Sequence, residues 1–385
     1  MASTSEASAA RQLLECCIES GKWPSTLRDE VRRNAETLEG SRAFFSIVVE
    51  RLADLFEPRL SSVYARLFSE LIGQPELAER YERIRQPRVC KQNPSKVFVL
   101  SRVTLGADVA VTSVVLDAAK RRFPGAEIYY AGARKGWGLF AEDPRIQHRE
   151  VSYGRTGLLA DRLAARPELR DADSIVIDPD SRLTQLGLLP VCKDHDYYFF
   201  DSRSYGGESN STLSELAARW CAETFEIKGA TPFIAPGLSG VSPADVTVSL
   251  GVGENPNKRL ADPFEKNLLT LLPADTLVDE GGSDEEAHRV RAALKPGQRT
   301  FKGSFARFAA AIRDSKFYVG YDSAGGHVAS VCGVPLVSIF AGSVSDRMFE
   351  RWKPSGLGAV TVIRADNYTA SEILEQAAAK IHPLP

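Results

Sequence analysis

The chain has 385 residues, more than one ordinary hydrophobic core organises, so two or three domains are expected. It is 43% hydrophobic and 25% charged, as globular proteins are, and its 48 Lys and Arg residues nearly balance its 50 Asp and Glu residues. This balance leaves no overall field that would attract nucleic acid or an anionic membrane.

The cysteines are scattered and include no Cys-x-x-Cys pair, a pattern typical neither of a disulfide framework nor of a zinc site. No apolar segment flanked by basic residues opens the sequence, and no apolar run is long enough to span a bilayer. We therefore expect reduced thiols, no bound metal and a cytoplasmic protein without a transmembrane segment. Peripheral contact with a membrane stays open.

Residues 1–92 are predicted to be a helical region. Apolar residues recur there at helical spacing, and Pro24, Pro58 and Pro75 divide the region into about four helices. No pattern of catalytic residues is visible in it. The region is either a structural cap or a surface for oligomerisation or for an acceptor.

After Pro94, short β-rich runs alternate with helical stretches, which indicates strand–helix–strand units and a parallel sheet. The first series of predicted strands is Lys96–Leu100, Glu127–Ala131, Ser174–Asp178 and Tyr197–Asp201. Residues 231–237 are predicted to be a linker. The second series is Val246–Gly251, Thr276–Asp279, Lys316–Gly320, Pro335–Phe340 and Val360–Ile363. We predict an α/β protein with two Rossmann-like domains, residues 93–235 and 236–385, facing a cleft, with ligands at the loops after the strands.

The loop after the first strand contains Gly106, which permits a tight backbone turn, and then Asp108 at the start of a helix. Asp is a preferred N-cap residue, so Asp108 could simply cap this helix. A carboxylate that faces the cleft from this position could instead accept a proton from a hydroxyl nucleophile.

The segment after the third strand of the second series carries the most specific pattern. Asp322 and Ser323 end the strand, and Gly325 and Gly326 open a helix of small residues. Backbone N–H groups at such a helix start form a natural site for phosphate oxygens. His327 is either structural or a donor to a phosphate or a sugar hydroxyl.

A second glycine-containing loop follows the first strand of the second series. Gly253 lies in this loop, and Lys258 follows a few residues later. Lys258 either belongs to a solvated Lys–Arg pair with Arg259 or places its positive charge on a diphosphate.

Two polar loops follow strands of the first series. One contains Asp180, Arg182 and Gln185, and the other contains Arg203. These groups suit sugar hydroxyls, and the arginines suit an acidic sugar or a phosphate. The alternative is an internal Asp–Arg network that fixes the loops.

Taken in order, these segments resemble the ADP-heptose–lipopolysaccharide heptosyltransferases, the family 9 glycosyltransferases of the GT-B fold. The family motif Arg-x-Ser-x-x-Gly-Asp is matched by residues 102–108, with Ala107 inserted before the aspartate. Lys258 matches the donor-domain lysine, and residues 281–285 match a Gly-Gly-x-x-Glu motif. Residues 321–327 match Asn-Asp-Ser-Gly-Pro-x-His.

The resemblance implies an inverting, metal-independent glycosyltransferase that needs no cofactor. It would move a heptose or related sugar from a nucleotide-diphosphate sugar, with an ADP-sugar favoured, to a hydroxyl of a glycan, lipid or protein, as in lipopolysaccharide biosynthesis. Asp108 would be the base and Arg102 an acceptor ligand. The residues that would hold the donor are Gly253, Lys258, Asp322, Ser323 and the Gly325–His327 turn. The alternatives are a sugar-nucleotide 2-epimerase on the same scaffold and a non-catalytic nucleotide-sugar-binding protein.

Overall fold

The structure, a computed structural model, describes residues 5–253, 258–343 and 345–381. Its amino-terminal part is helical and contains α1 (Ser5–Glu19), α2 (Ser25–Asn34), α3 (Leu38–Ala43), α4 (Glu50–Asp54), α5 (Pro58–Leu71) and α6 (Glu76–Ile84). A π-helical segment, Phe44–Val49, joins α3 to α4. The three prolines lie at helix starts, as predicted, because proline fits the first helical turn without losing a hydrogen bond.

A parallel sheet follows, and its described strands are β1 (Lys96–Leu100), β2 (Glu127–Gly132), β3 (Ile146–Glu150), β4 (Ser174–Asp178) and β5 (Tyr197–Phe199). Their order is β3-β2-β1-β4-β5. The helices that accompany them are α7 (Leu105–Ala107), α8 (Ser113–Arg122), α9 (Arg134–Trp137), α10 (Leu159–Ala164) and α11 (Leu213–Phe225). The sequence did not predict β3, because this edge strand is largely exposed and reads Ile-Gln-His-Arg-Glu.

The amino-terminal helices form the layer that covers one face of this sheet. Side chains alternate along β1, so that Val97 and Val99 pack with α8 and α11 on one face. Phe98 and Leu100 pack on the other face in one core with the amino-terminal helices. Burial of each such side chain contributes about 1.5–3 kcal/mol. The helical region is therefore part of the hydrophobic core, in line with its structural interpretation.

The second sheet is also parallel, and its described strands are β6 (Val246–Ser249), β7 (Thr276–Asp279), β8 (Arg299–Phe301), β9 (Phe317–Tyr321), β10 (Leu336–Phe340) and β11 (Val360–Arg364). Their order is β11-β10-β9-β6-β7-β8. The accompanying helices are α12 (Phe264–Leu271), α13 (Asp284–Ala293), α14 (Phe305–Arg313), α15 (Ala324–Val331), α16 (Asp346–Trp352) and α17 (Ala370–Ile381). The predicted strands are confirmed with small shifts at their ends, and the short β8 was not predicted.

The predicted linker, residues 231–237, lies in a stretch without helix or strand between the two sheets. The helices that follow β1 and β9 meet across the space between the sheets. A Cβ atom on Gly106 would lie 3.4 Å from the Cα of Ala324 and 3.4 Å from the ring of His327. Glycine at this position therefore lets the starts of α7 and α15 approach each other closely.

Candidate active site

A cavity of about 590 Å³ lies where three parts of the chain meet, and its size is that of a small-molecule site. The polar and small residues that line it are Ser46, Glu50, Arg51 and Asp54 from the amino-terminal helices, Thr104, Gly106, Ala107, Arg155 and Arg182 from the first α/β part, and Gly253, Lys258, Asp322, Ser323, Ala324 and His327 from the second. A narrower pocket of about 50 Å³ adjoins it and is bordered by Arg102, Asp180 and Arg203 together with Asp54 and Arg182.

The start of α15 faces this cavity without a side-chain cap. Ser323 is its N-cap residue, yet its hydroxyl accepts no capping hydrogen bond. In the same part of the chain, Ser283, Ser304 and Ser345 do cap α13, α14 and α16. The first N–H groups of α15 are thus left without a side-chain acceptor, and together with the helix dipole they favour an anion here.

Lys258 brings a positive charge to the same wall of the cavity. Its Nζ atom lies 2.5 Å from Oδ2 of Asp322 and 3.4 Å from the carbonyl oxygen of Asp322. Both side chains are largely buried, at 19% and 12% exposure. The ion pair fixes the ammonium group beside the end of β9, where α15 begins.

His327 lies in the first turn of α15 and is 5% exposed. Burial lowers the pKa of His327 to about 4, and the positive charge of Lys258 also lowers it, whereas Asp322 opposes the shift. The ring is therefore neutral at physiological pH and offers one N–H donor and one acceptor. It forms no hydrogen bond with the described residues and contacts the ring of Trp352 edge-on at 6.2 Å.

Gly325 and Gly326, which were predicted to contact the donor, lie behind the cavity wall and do not line it. A Cβ atom on Gly325 would lie 2.2 Å from the hydroxyl oxygen of Tyr318, so no larger residue fits there. A Cβ atom on Gly326 would meet its neighbours only at 3.5 Å or more. Packing against Tyr318 therefore requires glycine at position 325. At Gly326 a Cβ atom would make only ordinary van der Waals contacts.

Asp108 lies in the interior, which corrects the expectation that it faces the cleft. Its residue is 1% exposed, and it does not line the cavity. Its two oxygens accept hydrogen bonds at 2.8–2.9 Å from the hydroxyls of Ser101, Thr112 and Tyr130 and from the backbone N–H of Arg102. Burial raises the pKa of Asp108, and these four hydrogen bonds oppose the rise. The carboxylate holds the loop after β1.

The backbone around Asp108 differs from the expected helix start. Thr104, not Asp108, is the N-cap residue of α7, and a π-helical segment, Asp108–Thr112, follows directly. Because a π-helix bonds residue i to residue i+5, its turn holds one residue more than an α-helical turn. Asp108 is the first residue of this segment, and its carboxylate is held in the interior by the four hydrogen bonds.

Arg102, Asp180 and Arg203 form the internal Asp–Arg network that was the alternative to acceptor contact. Asp180 accepts hydrogen bonds from Ser202 Oγ at 2.7 Å and from Arg203 Nε at 3.2 Å. Arg102 donates to Ser202 Oγ and to the carbonyl oxygen of Pro179. The Asp180 and Arg203 side chains are 0% and 4% exposed, so they reach only the narrow pocket.

Arg182 and Gln185 differ in placement. Arg182 lines the main cavity and lies 3.4 Å from Oε1 of Glu50. Gln185 is 2% exposed, and its side-chain amide donates to the carbonyl oxygen of Arg162 at 3.3 Å. The structure thus brings Arg182 to the cavity and turns Gln185 away from it.

The chain is similar to known proteins in its structure. No protein-family model matches the sequence, and no curated protein matches it. Among solved structures, a family 9 glycosyl transferase from Veillonella parvula DSM 2008 is 16% identical, with a TM-score of 0.54 over 77% of this chain and 98% of that one. E. coli heptosyltransferase WaaC with ADP is 14% identical, with a TM-score of 0.53 over 74% and 99% of the two chains.

A third solved structure, E. coli ADP-heptose lps heptosyltransferase II, is 16% identical, with a TM-score of 0.53 over 75% of this chain and 99% of that one. Nearly the whole of each neighbour, 98–99% of its chain, is matched. The chain has the GT-B fold. About a quarter of it lies outside these matches, since they cover 74–77% of its length.

In this GT-B protein the amino-terminal helices also fix the loops of the site. Tyr81 OH donates to Asp201 Oδ2 at 2.9 Å, and Arg85 lies 3.4 Å from the same oxygen. Sequence reasoning missed the part of this region that reaches the cavity, namely Glu50 and Asp54 on α4. Their i,i+4 spacing puts two carboxylates on one helical face, which is the one signal that could have drawn attention to them.

Residues 5–253, 258–343 and 345–381 include no group of three or more His, Cys, Asp and Glu side chains placed to hold a metal ion. Over the same ranges, every helix is too short or too polar to cross a membrane.

Proposed function

We propose that this protein is a glycosyltransferase that moves a sugar from a nucleotide-diphosphate sugar to a hydroxyl group. The observation that carries the proposal is the uncapped start of α15 beside Lys258, at the wall of a cavity between the two sheets. Helix N–H groups and an ammonium group together suit a diphosphate. The GT-B fold of heptosyltransferases supports the same assignment.

On this proposal the diphosphate binds at Ser323 and Lys258, and the neutral His327 forms a hydrogen bond with a phosphate or a sugar hydroxyl. As the bond to the sugar breaks, negative charge grows on the departing phosphate, where the helix start and Lys258 stabilise it. These groups supply the charge that a divalent metal would otherwise supply, so we propose metal-independent transfer. An ADP-sugar is the favoured donor, since one structural neighbour is described with ADP.

The acceptor is proposed to enter from the first α/β part, where Thr104 and Arg182 line the cavity. A hydroxyl there would attack the anomeric carbon on the face opposite the diphosphate, so that the configuration inverts. A glycan, lipid or protein hydroxyl fits this chemistry, with a lipopolysaccharide precursor as the first acceptor to test.

The test uses the purified chain with radiolabelled ADP-, GDP- and UDP-sugars, with and without acceptor. Transfer of label to the acceptor, or slow release of free sugar to water, is the expected result. Nucleotide-sugar binding without any turnover would contradict an enzyme and indicate a binding protein. A sugar nucleotide of altered configuration would contradict transfer and indicate a 2-epimerase.

A further inference from the structure

The amino-terminal helices contribute a carboxylate to the cavity that the α/β parts do not themselves provide. Asp54, the last residue of α4, lines both the main cavity and the narrow pocket beside it. It shares the main cavity with Lys258 and Ser323 of the proposed donor site and with Thr104 on the acceptor side. Asp54 therefore shares one cavity with residues of both proposed substrate positions.

Asp54 differs from the nearby carboxylates of Asp108, Asp178 and Glu50, because none of the described residues donates a hydrogen bond to it. Asp108 accepts four hydrogen bonds and Asp178 accepts three, so both are held by the fold. Glu50, one helical turn before Asp54, is paired with Arg155 at 3.1 Å and with Arg182 at 3.4 Å. Asp54 forms no hydrogen bond and no ion pair with the residues that the structure describes, so its oxygens are free for a ligand.

The charges around Asp54 suit a group that takes up a proton near neutral pH. Burial raises the pKa of Asp54 to about 6, Glu50 raises it further, and Arg182, Lys258 and Arg51 lower it. A base whose pKa lies close to the working pH is ionised yet still basic enough to accept a proton. Glu50 and Asp54 stand at i,i+4 on one helix, so their carboxylates repel each other, and this repulsion favours the uptake of a proton by Asp54.

The position of α4 is fixed from two sides. Leu52 and Ala53 are buried in the core shared with the first sheet. Beyond the helix, the Phe56 ring contacts the ring of Trp352 edge-on at 6.5 Å, and Arg347 donates to the carbonyl oxygen of Phe56 at 2.9 Å. Because Arg347 and Trp352 belong to the second α/β part, α4 is held directly over the space between the sheets.

We propose that Asp54, supplied by the amino-terminal helical region, is the catalytic base that deprotonates the acceptor hydroxyl. This assignment rests on the proposed glycosyltransferase function and places the base outside the loop after β1.

In the step proposed, the acceptor oxygen forms a bond to the anomeric carbon of the donor sugar while its proton passes to the Asp54 carboxylate. The bond between the anomeric carbon and the diphosphate oxygen breaks, and its electron pair leaves with the nucleoside diphosphate. Charge is conserved, because the carboxylate loses one negative charge and the leaving diphosphate gains one. Lys258 and the start of α15 receive that charge.

The experiment compares the wild-type chain with Asp54→Asn, using whichever labelled sugar nucleotide the first screen shows to be turned over. We expect kcat for transfer and for hydrolysis to fall by roughly 10²–10⁴-fold in Asp54→Asn, the usual contribution of a positioned base. ADP affinity, measured by calorimetry, should be retained because the carboxylate is not a diphosphate ligand. Asp54→Glu should recover part of kcat, and Asp29→Asn on the exposed side of the same region is the matched control.

The pH profile separates a catalytic role from a structural one. Wild-type kcat should rise with pH and level off above about 6. This rising limb of the pH profile should disappear in Asp54→Asn. His327 faces the same cavity, but burial lowers its pKa to about 4, and the pKa of Arg182 is raised by Glu50, so neither residue gives a rise in kcat that levels off near pH 6. Normal turnover or an unchanged limb in Asp54→Asn would overturn this inference alone. A wild-type chain that neither binds ADP nor turns over any sugar nucleotide would overturn the proposed function as well.

Discussion

The two glycines at the start of α15 should respond to alanine in opposite ways. Gly325→Ala places a Cβ atom 2.2 Å from the Tyr318 hydroxyl oxygen and 2.7 Å from its Cζ atom. Tyr318 is wholly buried and cannot swing into solvent. In Gly326→Ala the nearest neighbour lies at 3.5 Å, which is ordinary van der Waals contact.

The magnitudes follow from two opposing effects. Alanine in place of glycine stabilises a helix interior by about 1 kcal/mol, and somewhat less in the first turn. Overpacking a rigid core costs about 1–3 kcal/mol, and a 2.2 Å contact belongs at the upper end of that range. We therefore expect Gly325→Ala to lower the free energy of unfolding by about 2 kcal/mol and Gly326→Ala to leave it unchanged or raise it by up to about 1 kcal/mol.

Urea denaturation followed by circular dichroism measures both free energies of unfolding. Tyr318→Phe supplies a further check, because it removes the hydroxyl and leaves the 2.7 Å contact, so it should recover part of the loss in a Gly325→Ala background. Equal effects of the two alanines, or an undisturbed Gly325→Ala protein, would refute the packing argument. Loss of ADP affinity in a stable Gly326→Ala protein would instead show that the ligand requires this glycine.

Three further outcomes are expected. Lys258→Ala should weaken ADP binding by roughly 1.5–3 kcal/mol in calorimetry, since one charge-assisted contact is lost, and unchanged affinity in a folded variant would contradict the diphosphate assignment. Transfer should persist in excess EDTA, whereas complete loss that Mg²⁺ or Mn²⁺ restores would show that a metal handles the leaving-group charge. Asp108→Ala leaves three buried hydroxyls and one partly buried N–H without their acceptor and should cost about 3–5 kcal/mol of stability in denaturant unfolding, so a variant as stable as the wild type would disprove its role in holding the loop.

Much of the fold could be predicted because its buried strands and its turns produce recognisable patterns in short stretches of the sequence. The buried strands of parallel sheets are short apolar runs, so β1, β4 and β7 were predicted with their observed ends. The edge strand β3 carries polar residues, and β8 has only three residues, so neither gives such a run. Turn signals between the runs predicted the loops after the strands, and residues of several of these loops line the cavity.

The candidate site was predictable only in part. The segment Asp322–His327 and Lys258 do meet at one cavity, because parallel strands of one sheet bring the loops at their carboxyl ends together. Asp180 and Arg203 were correctly recognised as polar residues on neighbouring loops, yet their pairing with each other depends on distance in space. Nothing within a few residues of Gln185 shows that it turns towards Arg162.

The sequence by itself determined the two parallel sheets, the helical region before them and the glycine-rich start of α15, since each depends on residues close together in the chain. Only the tertiary structure decided which carboxylate meets the cavity. Asp108 is buried, and one of its hydrogen bonds comes from Tyr130, which is 22 positions away. Asp54 was brought to the donor site across about half the chain, because amino-terminal helices pack on the first sheet and contact α16. Burial and hydrogen-bond partners arise from such distant contacts, and local spacing does not encode them.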